Sequence, residues 1–157
     1  MILEAAASDP RIIVIDRMCS RDEMLSLIRV ADCYVSLHRS EGFGLGMAEA
    51  MAFGKPVIGT NYSGNTDFLS EQTGFPVAYT LRPVEDGEYI FAAGQSWAEP
   101  DEDAAAAAMR TVFFDPDERT RRASAGRALV EARYSRENVG KIAAGYLEEI
   151  LADRNAT

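Results

Sequence analysis

The sequence predicts an α/β chain: a Rossmann-like, partial parallel sheet with flanking helices. Short apolar runs, Arg11–Ile15, Cys33–Leu37 and Pro56–Gly59, alternate with segments of helical period. That alternation is the signature of parallel βαβ units joined by right-handed crossovers. Turn-rich, glycine-bearing loops follow the second and third runs, and open parallel sheets bind ligands outside the C-terminal ends of their strands. With 157 residues, 47% of them hydrophobic and 26% charged, the chain suggests one folded domain or a piece of a larger one.

Arg11–Ile15 follows Asp9-Pro10 and reads as a buried strand. Ser20 and Glu23 form a capping box, opening a helix that carries Met24, Leu25, Leu27, Ile28 and Ala31. Cys33–Leu37 is the second strand, and residues 38–44 are a loop. Leu45 to Phe53 reads as a helix closed by Gly54, with Lys55-Pro56 ensuring that it stops. Pro56–Gly59 is the third strand, residues 60–66 a turn-rich loop, and Asp67 to Ser70 a single helical turn. Phe75–Tyr79 is an edge strand, because it contains Pro76. The loops at 38–44 and 60–66 should share one rim of the sheet.

Residues 80–100 read as a long connection holding Tyr89, Phe91 and Trp97; either it is a lid, or its aromatics pin a surface excursion to the core. Asp101 caps an alanine-rich helix through Phe114, and Asp115-Pro116-Asp117 breaks it. A last helical stretch, about Glu118 to Leu151, bends near Tyr134-Ser135, where Ser135 can cap a new helix.

The net charge of −9 argues against nucleic acid and anionic membranes as partners, since both need a basic footprint. The locally basic stretch 118–127 reads as a solvated helix face. Cys19 and Cys33 have no metal-ligand spacing and make no disulfide framework, so we expect reduced thiols and a cytoplasmic protein. The N-terminus has no basic signal-peptide region, and no run approaches the about 20 apolar residues of a membrane span.

The densest chemistry lies in Glu41-Gly-Phe-Gly-Leu-Gly-Met-Ala-Glu49. Gly42, Gly44 and Gly46 let a ligand approach the backbone. The first amides of the Leu45 helix are unpaired donors at the positive end of the helix dipole, a ready diphosphate site. Glu41, just before that site, suits sugar hydroxyls rather than phosphate. Glu49, a turn into the helix, could accept from vicinal hydroxyls such as those of a ribose. A glycine-rich turn alone is a weak signal, and the dinucleotide fingerprint is absent.

The stretch from Ala31 to Tyr79, with Glu41 and Glu49 followed by Ala-Met-Ala-Phe-Gly-Lys-Pro-Val-Ile, closely resembles the C-terminal, donor-binding domain of the group 1 (family 4) retaining glycosyltransferases. That resemblance implies part of the C-terminal half of a GT-B fold. Residues 1–157 would be a single partial nucleotide-sugar-binding domain: 11–79 its βαβ core, 80–100 the connection, 101–151 the C-terminal helices. It implies that Glu41 is the catalytic-site glutamate contacting the donor hexose, and that Glu49 binds the ribose. Phe43, Gly44 and Leu45, with Gly42, would bring backbone amides to the sugar and diphosphate. Asn65 falls in the family's glycine-rich loop, and His38 precedes Arg39-Ser40-Glu41 as in a subgroup of surface-polysaccharide transferases. For His38 a donor contact and a structural hydrogen bond both stay open.

The implied reaction is hexosyl transfer from a nucleotide-diphosphate sugar to an acceptor hydroxyl with retention, with no cofactor and no metal. The sugar hint is mannose or rhamnose on a guanosine or deoxythymidine diphosphate. The family's acceptor, a carbohydrate or lipid-linked glycan, would bind through a separate N-terminal domain, and its phosphate-clamping arginine and lysine find no counterpart before Arg11. The expectation is therefore a partial, isolated-inactive donor domain, or alternatively a non-catalytic nucleotide-sugar-binding or assembly subunit. An exposed sheet edge could pair with a second copy.

Overall fold

The computed structural model describes residues 2–155, and side chains through residue 152. Its elements are α1 (Ile2–Ser8), α2 (Arg21–Val30), β1 (Tyr34–Ser36), α3 (Leu45–Ala52), β2 (Val57–Thr60), a 3-10 turn (Gly64–Asp67), β3 (Phe75–Val77), β4 (Tyr79–Pro83), β5 (Ser96–Pro100), α4 (Glu102–Phe114), α5 (Pro116–Tyr134) and α6 (Arg136–Asn155).

β1, β2 and β3 form a parallel sheet in that order, with Val35 beside Ile58 and Ile58 beside Phe75. Side chains alternate across a strand, so β2 feeds two cores. Val57 joins Ile28, Met47, Met51, Phe68, Leu69 and Val130 on the face covered by α2, α3 and α5. Ile58 joins Phe75, Val77, Ala105 and Val112 under α4. All four residues of β2 are buried, as a sheet covered on both faces requires. Each large apolar side chain buried this way stabilises the fold by about 1.5–3 kcal/mol relative to exposure.

The helix boundaries follow local chemistry. Ser20 caps α2 by accepting from the Glu23 amide, while Glu23 accepts from the Ser20 amide at 2.8 Å. Gly54 takes φ 69 after α3. Asp101 caps α4, and Asp115 ends α4 and caps α5 with Pro116 in its first turn. Ser135 accepts from the Asn138 amide where α6 begins.

Three expectations need correction. Arg11–Ile15 is not a strand: residues 12–16 have no regular structure, and Ile13 is 81% exposed. A β-branched run suits a strand, but a ladder needs a neighbour, and among the described residues none lies beside it. Residues 80–100 are not an irregular connection. β4 and β5 form an antiparallel hairpin with Leu81 opposite Ala98 and Arg82 opposite Trp97. The helical turn expected at Asp67 to Ser70 sits earlier, at Gly64–Asp67. Helix α1, which the sequence reading did not anticipate, precedes all of these.

Candidate functional site

β1 and β2 end on the same rim, and the loops leaving them are joined there. The Ser63 hydroxyl donates to the Glu41 carbonyl at 2.6 Å, and the Gly64 amide donates to the same oxygen at 3.1 Å. A Cβ at Gly64 would collide with the Gly42 carbonyl, so glycine is required by close backbone approach.

Behind this junction lies a polar cluster. Asn65 is 0% exposed, and its Nδ2 donates to the Thr60 carbonyl at 2.9 Å. His38 Nε2 lies 3.0 Å from Asn65 Oδ1 and 3.1 Å from the Tyr62 carbonyl. Both are acceptors, so the neutral imidazole carries its proton on Nε2, and Nδ1 accepts from the Ser36 hydroxyl at 3.3 Å. His38 and Asn65 therefore tie the β1 loop to the β2 loop.

Gly44 occupies the N-cap of α3 at φ 92, and no side chain caps the helix. A Cβ at that position would press on Met47, Phe68 and Asn65. The first amides of α3 have no intrahelical acceptor and sit at the positive end of the helix dipole. Leu45 is 67% exposed. The Phe43 ring packs inward, 5.2 Å from both the Phe68 and Tyr134 rings, so its backbone is what remains at the rim.

The two carboxylates flank this helix start. Glu41 is half-buried and accepts from the Gly42 amide at 3.1 Å. Glu49 is half-buried too, paired with Arg21 of α2 at 2.6 Å. Burial raises the Tyr34 phenol above its ordinary value, and the charges of Glu41 and Glu49 raise it further. Tyr34 of β1 thus feels both carboxylates at once. Sequence reasoning missed Tyr34 and Arg21. Tyr34 occupied a strand position like any other, and Arg21 lies 28 residues from Glu49, a separation no local pattern bridges.

On the far side of Glu41 stands the β4–β5 hairpin. The Ala98 amide donates to the Arg39 carbonyl at 2.9 Å. Arg39 and Arg82 both pair with Glu99 at 2.9 Å, and Arg82 grips Glu88 through two hydrogen bonds of 2.7 and 2.8 Å. Both guanidiniums lie over the Trp97 ring, at 4.8 and 5.0 Å. The Arg82 guanidinium holds the Glu88 carboxyl down at about 2, and Arg82 and Arg39 also lower Glu99. Among the described residues no group of three or more His, Cys, Asp or Glu could hold a metal ion. Among them, too, no helix is long and apolar enough to cross a membrane.

A family model described as "Glycosyl transferases group 1" matches residues 4–129. Among solved structures, a sucrose-phosphate synthase from Thermosynechococcus elongatus superposes with TM-score 0.71 at 22% identity, over 97% of this chain and 33% of that one. The C-terminal domain of a glycosyl transferase group 1 family protein from Francisella tularensis gives TM-score 0.61 at 24% identity, over 85% and 59%. At these identities the likeness establishes the fold. The chain thus spans about a third of the first and 59% of the second. No curated protein sequence matches it.

Proposed function

The chain belongs to the group 1 glycosyl transferases, and on that premise we propose that it forms the donor side of a retaining hexosyl transfer from a nucleotide-diphosphate sugar to an acceptor hydroxyl. The observation that carries the reading is the uncapped N-terminus of α3, set on the strand rim between Glu41 and Glu49. Its free amides suit a diphosphate, Glu49 the ribose diol, and Glu41 with the Gly42–Leu45 backbone the hexose.

Chemistry follows from that placement. As the anomeric C–O bond breaks, its electron pair passes to the diphosphate. Amides already aimed there stabilise the growing charge without reorganising. Glu41 holds the hexose through its hydroxyls and so fixes the anomeric carbon for attack. The glycine contacts at 44 and 64 keep the loop from shifting. His38 and Asn65 serve from behind, since each ring nitrogen of His38 already has a protein partner.

Calorimetric titration with a panel of nucleoside-diphosphate sugars tests this. At least one should bind, and Glu49→Gln should weaken it by about tenfold to a hundredfold, as loss of a hydrogen bond to a charged group predicts. Equal binding by wild type and Glu49→Gln would remove Glu49 from the site.

A further inference from the structure

Glu41 has a second side. A cavity of about 700 Å³ opens between the loop carrying Arg39, Glu41 and Gly42 and the tip of the β4–β5 hairpin, which contributes Tyr89, Phe91, Gln95 and Trp97. Its size falls within the ~300–1,000 Å³ of pockets that hold small organic ligands. Glu49 and α3 do not touch it. A donor held by its ribose at Glu49 and its hexose at Glu41 therefore ends where this cavity begins. What lies beyond the hexose is the molecule that receives it.

The walls favour a neutral sugar. Tyr89 is 67% and Phe91 91% exposed, giving aromatic surface for the apolar face of a pyranose. Arg39, Gln95 and Glu41 offer hydrogen-bonding groups beside them. The cations are matched, Arg39 by Glu99 and Arg82 by Glu99 and Glu88, so no excess positive charge calls for a phosphate or an acid. Phe91 is also held at φ 56, a left-handed conformation rare for a bulky residue. Such strain costs of order 1–3 kcal/mol and collects at ligand clamps. The core gains nothing from this side chain in return.

We propose that this cavity is an acceptor-glycan subsite, with Tyr89 and Phe91 stacking on a neutral sugar ring and Arg39 and Gln95 binding its hydroxyls. The assignment rests on the donor reading of Glu41 and Glu49. It gives the donor domain itself a part in choosing the acceptor.

Trp97 is the chain's one tryptophan and lines the cavity, so its emission reports occupancy. The chain is titrated with maltose, cellobiose and mannobiose, each with and without a saturating nucleoside-diphosphate sugar. At least one disaccharide should change Trp97 emission saturably in the millimolar range. Tyr89→Ala and Phe91→Ala should each weaken that response by about fivefold to tenfold with unchanged melting, and Phe91→Tyr should restore it. No saturable response to any of the three, or wild-type responses in both alanine variants, overturns the subsite while the nucleotide-sugar titration stands by itself. If the disaccharide response persists but no nucleotide sugar binds, the donor reading falls and the cavity's acceptor role falls with it.

Discussion

The hydroxyl of Tyr34 fills the space that a side chain at Gly46 would need. A strand residue and the second residue of α3 are thereby fitted to each other, directly between the two carboxylates of the rim.

Gly46→Ala should therefore cost stability twice, through the collision and through displacement of Tyr34 from its place. A loss of about 1–3 kcal/mol is expected from overpacking of this kind. Removing the hydroxyl should relieve it, so Tyr34→Phe combined with Gly46→Ala should recover part of the loss. Urea unfolding of the four proteins in a double-mutant cycle measures the coupling. Strictly additive effects would mean that the two residues do not share this space.

Asn65 has no exposed surface, and replacing it with Leu removes its hydrogen bonds to the Thr60 carbonyl and to His38, which keep the Tyr62 amide and the Tyr62 carbonyl as their remaining partners. Each hydrogen bond lost from a partner that stays satisfied costs about 0.5–1.5 kcal/mol. The loss should show in denaturant midpoints. In NMR, the His38 ring resonances should shift as its Nε2 proton is left with the Tyr62 carbonyl alone.

Acid should loosen the hairpin. Arg82 holds Glu88 below its ordinary value of 4.5, down to about 2, and Glu99 is lowered as well. A depressed folded value means that the stabilisation is complete above the ordinary glutamate range and is lost as pH falls toward 2. Trp97 emission should therefore change across that window. The change should shrink in Arg82→Met and at high salt, because these pairs are exposed and screened. A flat profile in the wild type would show that the ion pairs do not order the tip.

Burial, aided by the charge of Asp32, pushes the Cys33 thiol up to about 11. Thiolate is the reacting species, so in a Cys19→Ser background alkylation at mildly alkaline pH should run about 100-fold slower than for an ordinary free thiol. Modification at the rate of glutathione would place Cys33 in a more open setting.

On the proposed donor reading, Arg21 competes with the nucleotide sugar for Glu49. The pair is open to solvent on its Arg21 side and so contributes no more than about 1 kcal/mol to stability, and Arg21→Ala should melt nearly as wild type. Its effect belongs in nucleotide-sugar affinity, read by the same titration as Glu49→Gln. A large drop in melting temperature would make Arg21 a structural residue.

The sequence showed most where structure is local. Ser20, Asp101 and Ser135 cap helices at the positions their neighbours predict, and Gly54 ends α3, because caps depend on a handful of adjacent residues. The three-stranded sheet was legible from the short apolar runs at 33–37, 56–59 and 75–79. Pairing across distance was not. Ile12 to Ile15 has the composition of a strand but no partner among the described residues, while the hairpin's strands lie apart, with residues 84–95 between them, and carry prolines that masked them. At the site, Glu41 and Glu49 stood out by spacing. Tyr34, Arg21 and the Arg39–Glu99–Arg82 network did not, since each is joined to its partner through space rather than along the chain.

The β4–β5 hairpin belongs to a separate two-stranded sheet and shares no ladder with β1, β2 or β3. Its tip can therefore be lengthened, shortened or exchanged without changing the register of the sheet from whose rim the Glu41 loop leaves. On the proposed acceptor reading, a chain built this way can diversify by grafting: new tips on an unchanged rim would give a family of proteins one shared reaction and many recipients.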